Sequence, residues 1–515
     1  MDARCTALLL PDGLSASGTA DRLAALVPVV TQRAHAIERT FWDTFDGRLQ
    51  RAGVALAEVG GRLVLIDATT YAERASAQHP KRARALLAEQ IPEGALRDAL
   101  APIVEMRALT PIARVRSRQL PINVLDELGK IVVRLRAEEP TALPGGDEKL
   151  ALRPRLHVAG VRGYDADYDR VLTILRGDVG LVEASRPVLD DALTALGTPV
   201  GGTSSKLRIE LDPSERADAA AVTILRRLAA VIADNTPGTL AGVDSEFLHD
   251  LRVAVRRSRA LQRELRGVFA PEPLRAFRDG FRELQVLTGP TRDLDVQLLE
   301  FGELAAGLGE AAAADVAPLR QLLEQRLAVE RRTMVAGLRS DRTRALLENW
   351  QEFLGGLVAA PEDDRPDAAR PVTDVAAERI STVYTRMVKM GNAIDDDSPH
   401  EALHDLRKKG KELRYLLEFF ASLYPPEVVK PMVATLKALQ DVLGRFQDRE
   451  VQADLLRALG ADIAAMEGGA AALMAMGVLV ERLTEQQARA RAQFDASFAQ
   501  FAAKPQRRIV KAAFG

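Results

Sequence analysis

Cysteine is almost missing from this chain. Cys5 stands alone, so no internal disulfide can form, and a reducing, cytoplasmic setting is expected. Aromatic residues are scarce too, at 4% of 515 positions. That argues against the stacking platforms that read single-stranded bases. No apolar run reaches the roughly 18 residues needed to span a bilayer, so no membrane partner is expected. The opening stretch, MDARCTALLLPDG, has only a three-leucine run and an acid at Asp2, and makes a poor signal peptide. An excess of either charge is also lacking. The net charge of −2 excludes a chain that is basic throughout, so any anion binding must come from local concentrations of Arg and Lys. What remains is an ordinary globular balance, 47% apolar and 28% charged, over a length too great for one core.

Two regions differ in pattern. Residues 1–200 carry short alternating runs at 60–67, 113–124, 129–138 and 152–161. Alternation with β-branched residues predicts strands. A first strand is expected at ARCTALLLP, and helical stretches at 81–103, in DADYDRVLTIL and in SRPVLDDALTALG. The expected class is α+β, an antiparallel β-barrel-like domain. TPVGGTSS then opens a linker, placed at 201–211.

Residues 212–503 are almost wholly helical in pattern. Asp212 and Pro213 predict an N-cap and a proline in the first turn. Further helices are expected at about 245–267, 271–288, 293–308, 311–337 and 341–358. Three prolines in PEDDRPDAARPV interrupt the series, which restarts at about 373–392, 399–422, 425–443, 448–466, 468–487 and 488–503. A basic tail, 504–515, is expected to fray.

This helical region is written twice. EFLHDLRVAVRRSRALQRELR (246–266) carries His249, Arg252, Arg256 and Arg259, which fall within about 80° on one helix face. It also holds six Arg against three acids. Adding 155 maps them to His404, Arg407, Lys411 and Arg414. At the same offset FRELQVLTGPTRDLDVQ (281–297) aligns with LKALQDVLGRFQDREVQ (436–452), matching Arg282 to Lys437. Two motifs sharing one offset predict an all-α region of two tandem helical bundles, 212–360 and 373–503, related by a pseudo-twofold. Each row gives a line of donors about 15 Å long. Arg supplies forked, permanent charge suited to phosphate oxygens. A bare helix dislikes such a row, so an anion or facing carboxylates must neutralise it. A solvated face is the bland alternative. Yet the rows persist while neighbours drift, with Arg257 facing Glu412 across the two copies.

His249 and His404, each beside an aspartate, suit either hydrogen bonding near a helix start or contact with an anion as donor. No Cys stands at ligand spacing, and the arginines would repel a cation, so no metal is expected there. No nucleophile accompanies them, so no catalytic residue is assigned. Asp293 and Asp448 are expected to hold a cap or orient an Arg, and Gly289 and Gly444 to stop helices.

LHDLRVAVRRSR with LQVLTGPTRDLDV, and LHDLRKKGKELRY with LQDVLGRFQD, resemble the CHAD domain over about 212–503. That resemblance implies binding of inorganic polyphosphate and attachment to polyphosphate granules; spacing alone says only "polyanion". Ahead of it, RTFWDTFDGRLQRAGVAL (39–56) and RLHVAGVRGYDADYDRV (155–171) resemble a CYTH domain, the triphosphate tunnel barrel. An active CYTH barrel opens with an ExExK strand, which is missing here. The metal-binding acids such hydrolysis requires do not assemble either. The expected barrel is therefore degenerate. Its basic residues Arg114, Arg116, Arg118, Arg134, Arg136, Arg153 and Arg155 line a tunnel that holds polyphosphate, or else face solvent.

The resulting expectation is non-catalytic polyphosphate binding with no cofactor, through His249, Arg252, Arg256, Arg259, Arg282, His404, Arg407, Lys411, Arg414 and Lys437. One alternative is a divergent triphosphatase acting on tripolyphosphate or nucleoside triphosphates with a divalent metal. Another is a binder of nucleic-acid backbones, which the missing base-reading motif disfavours.

Overall fold

A computed structural model describes residues 4–68, 71–80, 83–145, 148–198, 209–309 and 313–515. The chain divides into two compact units, 1–204 and 205–515. Residues 201–208 of the expected linker lie outside the described residues. Among the described residues no helix is long and apolar enough to cross a membrane.

The first unit is a single antiparallel sheet, made of β1 (Cys5–Leu9), β2 (Val29–Thr31), β3 (His35–Thr44), β4 (Val54–Val59), β5 (Arg62–Asp67), β6 (Glu73–Gln78), β7 (Leu109–Leu125), β8 (Ile131–Ala142), β9 (Leu150–Ala151), β10 (Arg155–Gly160) and β11 (Val182–Glu183). The order is β11-β1-β10-β8-β7-β3-β4-β5-β6, with β2 beside β7 and β9 beside β8. The sheet curls into a half-barrel. Its two ends come close enough that Arg155 on β10 donates to the Tyr71 hydroxyl, just beyond β5, at 2.9 Å. On one face Leu8, Ile122, Val133, Leu156 and Val158 pack with helices α1 (Ala16–Ala24) and α4 (Asp165–Gly177). The intervening helices are α2 (Arg48–Arg51) and α3 (Ala95–Val104), and α5 (Val188–Ala195) follows. Only Ala95–Val104 of the expected 81–103 helix is α-helical. A 3-10 turn at Ala88–Gln90 precedes it, and residues 81–82 lie outside the described residues.

The second unit is all helix: α6 (Ala217–Ala241), α7 (Ser245–Glu264), α8 (Pro271–Leu287), α9 (Gly289–Ala306), α10 (Ala317–Leu338) and α11 (Asp341–Gly356), then α12 (Val372–Gly391), α13 (His400–Phe419), α14 (Pro426–Ala464), α15 (Gly469–Ala492), α16 (Phe494–Phe501) and α17 (Lys504–Phe514). Local sequence sets many of the ends. Asp244 caps α7, accepting from the N–H groups of Glu246 (2.9 Å) and Phe247 (3.1 Å). Pro271 opens α8. Gly242, at φ +67°, closes α6 in the left-handed conformation.

Several boundaries differ from expectation. Asp212 makes a turn with the Ser214 N–H (2.8 Å) rather than a cap, so α6 starts at Ala217. The helices expected at 425–443 and 448–466 are one, α14, and Gly444 lies inside it. A glycine there costs only about 1 kcal/mol, and packing on both sides carries the helix through. Gly289 starts α9 rather than ending a helix; the break between α8 and α9 falls at Thr288, just before Pro290. The C-terminal residues do not fray. α17 buries Val510 and Phe514 in the main helical core, and the Phe514 ring meets Tyr424.

Two reciprocal contacts locate the pseudo-twofold. The N–H of Ala217 donates to Arg370 O and the N–H of Val372 to Glu215 O, both at 2.9 Å. Residue 216 thus pairs with its own copy, 371. Across α7 and α13, Arg257 meets Glu418 at 2.5 Å and Arg263 meets Glu412 at 3.0 Å. Applying the offset of 155 to one pair generates the other, as a twofold contact requires. The first repeat supplies both arginines and the second both glutamates. The three-proline break is also a packed element. Arg365 is buried there and donates to Leu357 O (2.9 Å) and Pro361 O (2.8 Å), beside Asp218 of α6 at 3.3 Å.

Candidate functional site

The twofold brings parts of both basic rows to one place. A cleft of about 630 Å³ is lined by His249, Arg256 and Arg257 of α7, by Arg407, Lys411 and Arg414 of α13, and by Gln440 and Arg445 of α14. Asp250, Glu418, Asp441 and Asp448 share its wall, so five arginines and one lysine face four carboxylates. Glu418 and Asp448 each hold arginines of the cleft. Glu418 holds Arg257 (2.5 Å) and Arg414 (2.7 Å), and Asp448 holds Arg407 (3.0 Å). Asp448 therefore orients an arginine. Arg256 and Lys411, equivalent positions of the two repeats, make no ion pair among the described residues, and the buried Nε of Arg256 has no partner. The Lys411 ammonium is pulled down to about 8, first by burial and then by Arg407 and Arg256, with Asp448 opposing. Both amide atoms of the Gln440 side chain are buried without a partner.

The remaining members of the rows go elsewhere. Arg252 turns to the end of α8 and donates to Gln285 O and Thr288 Oγ1, both at 2.9 Å. Burial lowers its guanidinium to about 10. Its copy Arg407 stays in the cleft because α14 runs on past the corresponding point, leaving no free carbonyls to bind. Arg259 donates to the Gln285 side chain and, with Arg282, lines a second basic cleft beside α8. His404 does not line the central cleft; its Nδ1 bonds the side chain of Gln447. Lys437 is exposed on α14 and lines neither cleft.

Arg257, Arg445 and Gln440 were missed from sequence, as were Arg266, Arg275 and Arg278 of the second cleft. One signal was available: the 155 offset sets Lys430 opposite Arg275.

In the half-barrel the expected arginines divide between the two faces. Arg114, Arg116 and Arg118 alternate with Val115 and Ser117. They lie on the face opposite Ser117 and are exposed. Arg114 and Arg116 pair with Glu38 (2.6 and 2.8 Å), and Arg118 with Glu139 (3.1 Å). Of the two alternatives, a tunnel lining or a solvent face, these three take the solvent face. Arg153 is exposed ahead of β10. Arg134 and Arg136 share the face of Glu138 on β8. There Glu138 and Arg155 are fully buried. Arg39 donates to Ser117 Oγ at 2.7 Å and pairs with Glu138. Arg155 pairs with Asp191 at 2.6 Å. Burial and the guanidiniums of Arg136, Arg155 and Arg39 hold the His157 imidazole well below its ordinary range. The neutral tautomer that fits donates from Nε2 to Glu138 (2.6 Å) and leaves Nδ1 a buried acceptor without a partner. Among the described residues no group of three or more His, Cys, Asp and Glu stands together to hold a metal ion.

These features define a duplicated helical module with a cationic cleft at its pseudo-twofold. Within the helical unit, residues 223–457 match the CHAD domain family. The curled sheet ahead of it is consistent with a CYTH-like tunnel fold. Two solved structures are similar. One is the CHAD domain from the plant Ricinus communis, 25% identical, with 58% of this chain and 96% of that chain covered and a TM-score of 0.49. The other is PptA from Streptomyces chartreusis, 16% identical, with 55% and 99% covered and a TM-score of 0.43. No curated protein matches the chain significantly.

Proposed function

We propose that the CHAD domain binds inorganic polyphosphate along the central cleft without cleaving it, and that a protein so bound is carried on polyphosphate granules in the cytoplasm. The observation that carries this is the convergence of Arg256 and Lys411, two equivalent and unpaired cations from different repeats, in one cleft with Arg407 and Arg414. Unneutralised guanidinium and ammonium groups held side by side cost energy that an anion removes. A linear polyanion fits a charge line built on two helices better than one small phosphate does.

The test is calorimetric titration of the full chain with polyphosphate at several salt concentrations, with RNA as competitor and phosphate release followed in Mg2+ and Mn2+. Salt-sensitive binding that RNA displaces poorly, with no release, is the expected result. Efficient displacement by RNA would transfer the cleft to nucleic acid, and turnover would make the protein a triphosphatase.

Lys411 gives this reading a pH signature. A bound anion favours the charged ammonium, so binding takes up a proton wherever free Lys411 is neutral. Affinity should be flat up to about pH 7 and fall as pH rises through about 8. By pH 9 the loss should approach tenfold for this one proton. Lys411→Arg should bind with a flat profile over the same range. An equally steep fall in that variant would remove Lys411 from the contact.

A further inference from the structure

Among the described residues the second basic cleft has more unpaired arginines than the central one. It encloses about 790 Å³ and is lined by Arg259, Arg266, Arg275, Arg278 and Arg282, against Asp279 and Asp364. Among the described residues Arg266, Arg275, Arg278 and Arg282 make no hydrogen bond or ion pair, whereas three arginines of the central cleft are tied to Glu418 or Asp448. The crowding acts on Arg259. Burial lowers its pKa, and Arg263, Arg282 and Arg278 lower it further. An exposed arginine on a helix ordinarily needs no explanation; four unpaired ones around a single cavity do.

The cleft is also unequal between the repeats. The 155 offset maps Arg275 to Lys430 and Arg282 to Lys437, keeping their charge, but maps Arg266 to Ala421 and Arg278 to Val433. Only the first repeat therefore has the full set. The two clefts adjoin through α7, with Arg256 lining one and Arg259 the other. That separation is about 4.5 Å of helix rise, and α7 from His249 to its end at Glu264 spans about 22 Å.

We propose that the second cleft is a distal subsite for the same polyanion, so that the protein discriminates long polyphosphate from short. This rests on the function proposed above and names what that leaves open, the chain length. A short phosphate chain fills the central cleft alone. A long one continues past Arg259 and engages the second cleft as an intramolecular step. Such a step raises affinity through effective concentration without changing the first contact.

The test compares tripolyphosphate with polyphosphate of about 100 units on the full chain, wild type and the double variant Arg266→Ala/Arg278→Val. These substitutions install the second repeat's own residues at exposed positions, and thermal melting checks that folding is intact. The expected result is a loss of about tenfold or more for the long chain, with a shallower salt dependence and no change for tripolyphosphate. Unchanged long-chain affinity in a wild type that binds both ligands would overturn the distal subsite and leave the central one standing. An equal loss for both ligands would overturn it as well, because the two clefts would then be one site. If the wild type binds neither ligand, the polyphosphate reading itself fails and this inference falls with it.

Discussion

Replacing Arg256 and Lys411 together by glutamine is expected to weaken polyphosphate binding by about two orders of magnitude. The double variant should also reduce the slope of log affinity against log salt by about 1.5. Among the described residues neither of these two cations has a carboxylate partner. Removing Arg407 would free Asp448, and removing Arg414 would leave Glu418 to Arg257 alone, so the altered carboxylates would confuse the result. Removing Arg256 and Lys411 frees no carboxylate and relieves the repulsion between them. The fold should tolerate the change, so affinity falls without a fall in melting temperature. Arg252→Gln is the informative contrast. Its guanidinium is spent on Gln285 O and Thr288 Oγ1, so the variant should melt earlier while binding almost normally. A double variant that binds like the wild type would dismiss the central cleft as the site.

The contrast between Arg252 and Arg407 also marks where the sequence stops being informative. The two positions are equivalent, carry the same residue, and sit on helices of the same length. Their roles part because Pro290 stands in the first repeat where Arg445 stands in the second. Proline breaks α8 from α9 and exposes carbonyls for Arg252. Arg445 allows α14 to continue, and itself lines the cleft. Helical periodicity showed that the rows existed and the offset showed that they were paired. Neither could show which side chains a break in a neighbouring helix would draw away.

The half-barrel makes the same point with strands. Alternation in RVRSRQ correctly puts Arg114, Arg116 and Arg118 on one face of β7. It does not say which face turns inward. That is set by partners far away in sequence: Glu38 and Glu139 hold the arginines outside, while Ser117 meets the buried Arg39. The inner group of Arg39, Glu138, Arg155 and His157 comes from three strands. Arg39 had no pattern around it that distinguished it from a surface residue.

Arg257 and Glu412 carry the clearest lesson. Facing each other in an alignment of the two repeats, they look like drift at an exposed position. In the fold neither meets its own equivalent: Arg257 meets Glu418, and Glu412 meets Arg263. The charge difference between the copies is what lets them bind each other. Reversing both arginines, Arg257→Glu with Arg263→Glu, should therefore destabilise the helical unit by about 3–5 kcal/mol. A largely buried glutamate at 257 and an exposed one at 263 would then confront glutamates across a twofold interface. Adding Glu412→Arg and Glu418→Arg should recover more than half of that loss in denaturant melts. Recovery should stay incomplete for local reasons. Lys409 loses Glu412, Arg414 loses Glu418, and Glu264 loses Arg263. A double reversal that melts like the wild type, or a quadruple variant no more stable than the double, would refute the interface as drawn. The same arithmetic disfavours pairing between first repeats of two molecules, where Arg257 would oppose Arg263. It likewise disfavours pairing between second repeats, where Glu412 would oppose Glu418. Each half is charged to accept the other, and that complementarity places Arg256 and Lys411 together at the axis.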